Sequence, residues 1–223
     1  MAWQDLAQAR LPGGDVLTLR RNGADFEIRF NLLELMSSKN PVSERALAQA
    51  VCSRIGGKAP RILIGGLGMG YTVRAVLDEI GPGARITVAE LVPEVVAWNR
   101  GPLAGLASRP LDDERVTVCD RDVADVIRAN PLGFDAILMD VDNGPDAVLF
   151  PANRFLYTTD GVAFVVSALR PGGVLGLWSA DRSPDFERAA SAAGFGCERL
   201  DIDVPGTNGL AHTIYLVPAD KSG

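Results

Sequence analysis

Ile62-Leu63-Ile64-Gly65-Gly66-Leu67-Gly68-Met69-Gly70 is an apolar run that breaks into four glycines within six positions. With Arg61 in front it makes a strand candidate, 61–65, and a helical segment follows near 69–80. A strand that ends in clustered glycines and feeds a helix leaves backbone N–H groups bare for a ligand, because glycine lacks a Cβ and tolerates positive φ. Glu90 closes the next strand candidate about 20 residues further on, where a carboxylate accepts hydrogen bonds from ribose hydroxyls. Glycine loop and acidic strand end together point to an adenosine-type ligand. A solvated strand-end carboxylate is the plainer alternative for Glu90.

Outward from this loop the chain alternates strand and helix. Strand candidates are 61–65, 85–90, 115–119, 134–140, 173–178 and 211–217; helix-like segments lie near 69–80, 92–100, 122–129, 155–169 and 184–193. Several strands are near-continuous apolar runs, as parallel strands covered on both faces are. Near the C-terminus, CERLDIDV and AHTIYLV leave no room for a helix between them, so an antiparallel pair should close the sheet. The expected fold class is α/β, a doubly wound seven-stranded Rossmann-like sheet with an antiparallel last strand. Ahead of it, residues 16–30 read as a β-hairpin turning at Asn22-Gly23. A turn at Asn40-Pro41 then leads to a helix with Ser43 as N-cap, Ala46, Leu47, Ala50, Val51 and Ile55 on its apolar face, and an end at Gly56-Gly57. The division expected is a β-hairpin unit over 1–42 and an α/β domain over 43–223.

The 223 residues are 47% hydrophobic, enough for a sizeable core, and carry a net charge of −6. That acidity argues against broad phosphate-backbone binding, so no nucleic-acid partner is expected, and it suits a cationic substrate. Cys52, Cys119 and Cys197 are scattered without metal-ligand spacing; they read as reduced, half-buried thiols, and no metal is expected. The N-terminus does not read as a signal peptide, and no apolar run approaches the roughly 20 residues of a membrane span. A cytoplasmic location is the default.

The glycine spacing separates two ligand classes. A nicotinamide dinucleotide calls for GxGxxG, whereas Gly66-Leu67-Gly68-Met69-Gly70 brings the third glycine one residue early. GxGxG fits better the loop of enzymes that hold S-adenosylmethionine, a nucleoside with a sulfonium rather than a pyrophosphate. After strand 115–119, Asp122 stands where such enzymes accept a hydrogen bond from the adenine amino group. It is equally an N-cap for the helix beginning at Val123, and one residue can serve both roles. Leu91 and Val123, next to these acids, complete the cofactor-binding set.

ILIGGLGMG, VAELVPEVVAWNR, FDAILMDVDNGP and ALRPGGVLGLWSA together resemble the spermidine/spermine synthase-like branch of the S-adenosylmethionine-binding, methyltransferase-fold enzymes. The resemblance covers about residues 61–180, and the preceding hairpin more loosely. It implies an N-terminal β-hairpin unit, a homodimer, and aminopropyl transfer from decarboxylated S-adenosylmethionine to an amine. It also implies residue roles: Gly65, Gly66, Gly68 and Gly70 in the cofactor loop, Glu90 at the ribose and Asp122 at the adenine. Asp140 falls at the sulfonium and acceptor-amine site, Asp142 at a second acidic position of that loop, and Tyr157 near an aromatic of the following helix. Two departures stand out. The family loop is GGGDGG, and its Asp is here Gly68; the family's Tyr-His-Glu upstream is here Val42-Ser43-Glu44. Loss of the carboxylate that holds an aminopropyl ammonium favours ordinary S-adenosylmethionine.

The chemistry implied is in-line displacement at a carbon on a sulfonium, which asks the protein to align a neutral nucleophile and exclude water. Asp140, at the carboxyl end of a central strand, is the residue expected to orient and deprotonate an acceptor amine, with Asp142 assisting and Asp146 adding negative potential. DVDNGPD reads equally as an Asx-rich turn. Asp181, at another strand end, is a weaker pocket candidate. His212, the single histidine, reads as structural, because no nucleophile motif accompanies it. Trp98 and Trp178 read as core or pocket wall. The function expected is an S-adenosylmethionine-dependent transferase acting on a small-molecule acceptor, with methyl transfer ahead of aminopropyl transfer. A non-catalytic nucleoside-binding module and a nicotinamide oxidoreductase remain open behind it.

Overall fold

The computed structural model describes residues 2–220. Among these residues eleven strands form two sheets, and six α-helices accompany them. The first sheet is an antiparallel meander of β1 (Gln4–Arg10), β2 (Val16–Asn22), β3 (Asp25–Phe30) and β4 (Leu33–Ser37). Helix α1 (Val42–Cys52) joins it to the second sheet.

That second sheet contains β5 (Arg61–Gly65), β6 (Arg85–Ala89), β7 (Val116–Cys119), β8 (Phe134–Met139), β9 (Leu169–Ser179), β10 (Glu198–Asp203) and β11 (Ala211–Pro218). Their spatial order is β10-β11-β9-β8-β5-β6-β7. β5 lies at the centre, parallel to β6 and β8, while β11 runs antiparallel to both β9 and β10. This is the doubly wound methyltransferase-type sheet. The intervening helices are α2 (Tyr71–Glu79), α3 (Pro93–Arg100), α4 (Val123–Arg128), α5 (Thr159–Val166) and α6 (Pro184–Ala192).

The apolar runs explain the sheet. Ile62, Leu63 and Ile64 are fully buried, covered on alternate faces by two apolar clusters, each side chain worth about 2 kcal/mol of burial. The cluster on one face continues through Leu47 and Val51 of α1 to Leu17, Leu19 and Ile28 of the meander. The small sheet is therefore docked on the large one through shared core. Close docking of α1 is permitted by Gly176, where a Cβ would overlap Val51.

Three expectations are corrected. The N-terminal hairpin is the middle of a four-stranded sheet. β1 has only weak alternation, and Leu32, Leu33, Leu35 and Met36 recur at spacings that look helical although Leu33–Ser37 is a strand. Ser43 is not the N-cap of α1: Pro41 holds that position without a side-chain bond, and Ser43 is buried inside the first turn. That helix also stops at Cys52, before Ile55 and Gly56-Gly57. Finally, the helix sought near 155–169 divides into a 3-10 turn, Pro151–Tyr157, and α5, which Thr158 caps by accepting from the Gly161 N–H at 3.1 Å.

Candidate active site

The carboxyl ends of β5, β6, β7 and β8 open into a cleft of about 580 Å³ that the meander and the β10–β11 loop wall off on the far side. The glycine loop is its floor. The Gly66 N–H donates to Ala89 O and the Asp140 N–H to Gly65 O, both at 2.9 Å, stitching three strand ends together. Gly66 has φ +86°, and a Cβ there would overlap the Asp140 carbonyl oxygen. No other residue type fits. Gly68 has φ +52°, and a Cβ would lie 2.8 Å from Sδ of Met36 on β4. Gly65 packs on Val123, and Gly70 caps α2. Asn99 of α3 donates to the Gly68 carbonyl at 2.8 Å and holds the loop from outside.

Glu90 is nearly buried at 8% exposure. Its two oxygens accept from the Leu67 N–H at 3.0 Å and the Val92 N–H at 2.8 Å. Burial pushes its carboxyl above the usual range, and these N–H bonds oppose the rise. Next to it, Leu91 is 54% exposed on the cleft wall. Asp122 serves as the N-cap of α4, its Oδ1 accepting from the Ala124 N–H at 2.8 Å, while it also lines the cleft with Val123. A cap of this kind contributes about 1 kcal/mol.

Asp140 lines the cleft at the end of β8, where Thr72 Oγ1 of α2 donates to its Oδ2 at 2.6 Å. Desolvation raises its pKa and the Thr72 bond lowers it. Asp142 lines the same wall at φ +56°, but its carboxylate is engaged by the loop itself. Its oxygens accept from the Leu149 and Phe150 N–H groups at 3.1 and 3.0 Å and from Asn153 Nδ2 at 2.7 Å. The Asx-turn reading describes it well. Tyr157 stands behind this loop, outside the cleft wall, donating to the Val141 carbonyl at 3.2 Å. Asp146 is exposed and accepts from Ser183, and Asp181 is exposed as well; neither lines the cleft.

The cleft also gathers residues that the sequence reading left out of the site: Glu44, which matches only the last position of the family's Tyr-His-Glu, and His212, which read as structural. Glu44 of α1, 6% exposed, has its carboxyl pushed up to about 7, first by burial and then by Asp140. Ser43 donates to Glu44 Oε2 at 2.8 Å, and His212 Nδ1 of β11 lies 2.9 Å from the Ser43 hydroxyl. The histidine that read as structural therefore stands in the cleft wall, with its ring edge-on to Trp178 at 4.9 Å. Where the resemblance expects a histidine on α1, a serine is met by an imidazole from β11. Six carboxylates line the cleft (Glu34, Glu44, Glu90, Asp122, Asp140 and Asp142) against Lys39 and Arg121, so the cavity favours a cationic guest.

No protein-family model and no curated sequence matches the chain. Solved structures do. Spermidine synthase from Thermotoga maritima superposes with a TM-score of 0.78 at 16% identity, over 98% of this chain and 74% of that one. A spermidine synthase in complex with the transition-state analogue AdoDATO gives 0.77 at 16% identity, over 98% and 73%. A probable spermidine synthase from Corynebacterium glutamicum gives 0.63 at 20%, over 97% and 81%. The likeness spans the N-terminal meander as well as the α/β sheet, and at these identities it establishes the architecture: this chain has the fold of the spermidine synthases.

Proposed function

We propose that the protein is an S-adenosylmethionine-dependent transferase that alkylates a small, amine-bearing acceptor, and that the group transferred is methyl. The observation that carries the reading is the union, in one cleft, of the Gly66 cradle, Glu90 and Asp140 on three adjacent strand ends. The residues fit the cofactor chemically. Glu90, fixed by two backbone N–H groups, retains lone pairs for ribose hydroxyls, and Asp122 keeps Oδ2 for an adenine amino group. Leu91 and Val123 offer apolar surface to a base. When bound, the cofactor supplies an electrophilic carbon on a sulfonium whose leaving group is a neutral thioether.

The chain's own part is binding, orientation and charge. Asp140, steered by Thr72, accepts a hydrogen bond from the nucleophile and presents negative charge to the sulfonium. Asp142 shapes the loop beside it. A linear ammonium chain on the cofactor would want a carboxylate from the glycine loop, and Met36 covers the bare Gly68 at that point. This favours methyl transfer. The second reading, aminopropyl transfer from decarboxylated S-adenosylmethionine, draws support from the fold shared with spermidine synthases. The homodimer that the resemblance implies belongs to this proposal too.

Calorimetric titration with S-adenosylmethionine, S-adenosylhomocysteine, the decarboxylated cofactor and methylthioadenosine separates the readings. The intact pair should bind at least about tenfold tighter, a difference of about 1.4 kcal/mol. The reverse order would transfer the assignment to aminopropyl chemistry, and four silent titrations would end both.

A further inference from the structure

His212 is the single imidazole of the chain and stands in the cleft wall with Glu44, Asp140 and Trp178. Its Nδ1 is turned to Ser43 Oγ at 2.9 Å, and Ser43 Oγ donates onward to Glu44 Oε2 at 2.8 Å. Nε2 takes no partner among the described residues. Ser43 and Glu44 are 2% and 6% exposed, so the line they form is shielded from bulk water. Helix capping does not explain the serine, because Pro41 occupies the cap position of α1. A hydrogen-bonded line thus runs from the ring of His212, a cleft-lining residue whose Nε2 has no hydrogen-bond partner among the described residues, to a buried carboxyl, across two elements 168 or more residues apart in sequence.

We propose that His212, Ser43 and Glu44 form a proton relay that takes the proton of an acceptor ammonium and leaves the amine neutral for attack. The role rests on the transfer reading above; the relay itself is a property of the free protein. In the waiting arrangement Glu44 is ionised and accepts from Ser43 O–H, Nδ1–H donates to Ser43 Oγ, and the Nε2 lone pair is free. The ammonium proton passes to Nε2, the Nδ1 proton to Ser43 Oγ, and the serine proton to Glu44 Oε2. One N–H of the acceptor is broken and one O–H on Glu44 is made, with the imidazole neutral before and after. The nitrogen lone pair so released is the nucleophile.

The surroundings suit this division of labour. Burial disfavours an imidazolium at His212, with Asp181 opposing, so a neutral shuttle is the form the site supports. Glu44, by contrast, holds or loses a proton near neutral pH. Asp140, across the cleft, raises the proton affinity of Glu44. The other groups facing the relay are Arg45 of α1, which favours ionised Glu44, and Tyr71 of α2, whose pKa burial and Glu44 raise.

One histidine means one imidazole spectrum. Long-range proton–nitrogen NMR on tag-free protein labelled at histidine nitrogen reads the tautomer directly, in wild type, Ser43→Ala and Glu44→Gln. The wild-type ring should be the Nδ1–H tautomer near pH 8 and pass to the Nε2–H tautomer as Glu44 is protonated towards pH 6, staying neutral throughout. Either substitution should abolish that switch. A ring that instead ionises through this range, or a tautomer that neither pH nor the substitutions move, would overturn the relay. If a variant fails to fold, the wild-type series decides alone. A switching tautomer in a protein that binds no adenosyl nucleoside would locate the failure in the transfer reading; nucleoside binding with no switch would locate it in the relay.

Discussion

The two ends of the cleft are built in opposite ways. The proposed nucleoside end comes from consecutive strand ends: Gly65–Gly70 and Glu90–Leu91, tied by backbone hydrogen bonds between strand ends and by the Glu90 carboxyl, and Asp122–Val123, fixed by the cap of α4. The proposed acceptor end is assembled from distant pieces: Met36 of β4, Glu44 of α1, Trp178 of β9 and His212 of β11. Backbone geometry fixes the first, and side-chain packing across two sheets composes the second. Substitutions should therefore act differently at the two ends, through strain at one and through charge and proton placement at the other.

The largest effect is expected at the backbone end. Gly66→Ala must place a Cβ against the Asp140 carbonyl at φ +86°, which strains the loop by about 1–3 kcal/mol before any overlap is counted. Chemical denaturation should show that loss, and S-adenosylhomocysteine binding should weaken by roughly a hundredfold or more. Retained affinity and stability would break the contrast between the two ends.

At the acceptor end, Glu44 links folding to pH. Its carboxyl titrates near 7 in the folded protein against an ordinary 4.5, so between these values the folded state holds a proton that the unfolded chain has released. Stability from this group is thus complete below 4.5 and falls as pH rises to 7, by about 3 kcal/mol at most. Glu44→Gln removes the dependence. Thermal melts should find the variant more stable than wild type at pH 8, with the gap closing towards pH 5.

Asp140 lies where the two ends meet. Asp140→Asn should reduce the preference for cationic S-adenosylmethionine over neutral S-adenosylhomocysteine by about tenfold. In wild type, the cation should also expel a proton from Glu44 at pH 7, seen as buffer-dependent heats of binding that the thioether does not give. The smallest change expected is from Met36→Ala combined with Gly68→Asp, which provides space for a carboxylate in the loop. A few-fold shift towards the decarboxylated cofactor would sharpen the role assigned to that contact.

The same contrast sets what the sequence reveals. Apolar runs and glycine spacing are local signals, so β5 to β11, the loop and the acids at the ends of β6 and β7 were all legible, as was Asp140 at the end of β8. Asp122 combined cap and cleft wall as one residue can. The meander was half legible: Asn22-Gly23 marks its central turn, whereas the leucines of β4 imitate a helix. Ser43 is an apt cap residue by composition, but its hydroxyl meets His212, 169 residues away, a partner that no local pattern reveals. Asp142 had the acidity of a catalytic group, yet its hydrogen bonds go to loop N–H groups that only the folded chain brings round.

The most direct test of the central claim is a crystal structure grown with S-adenosylhomocysteine. The ribose hydroxyls should lie on Glu90, the adenine amino group on Asp122 and the thioether sulfur beside Asp140. A nucleoside bound elsewhere, or one in this cleft that leaves Glu90 and Asp140 untouched, would contradict it.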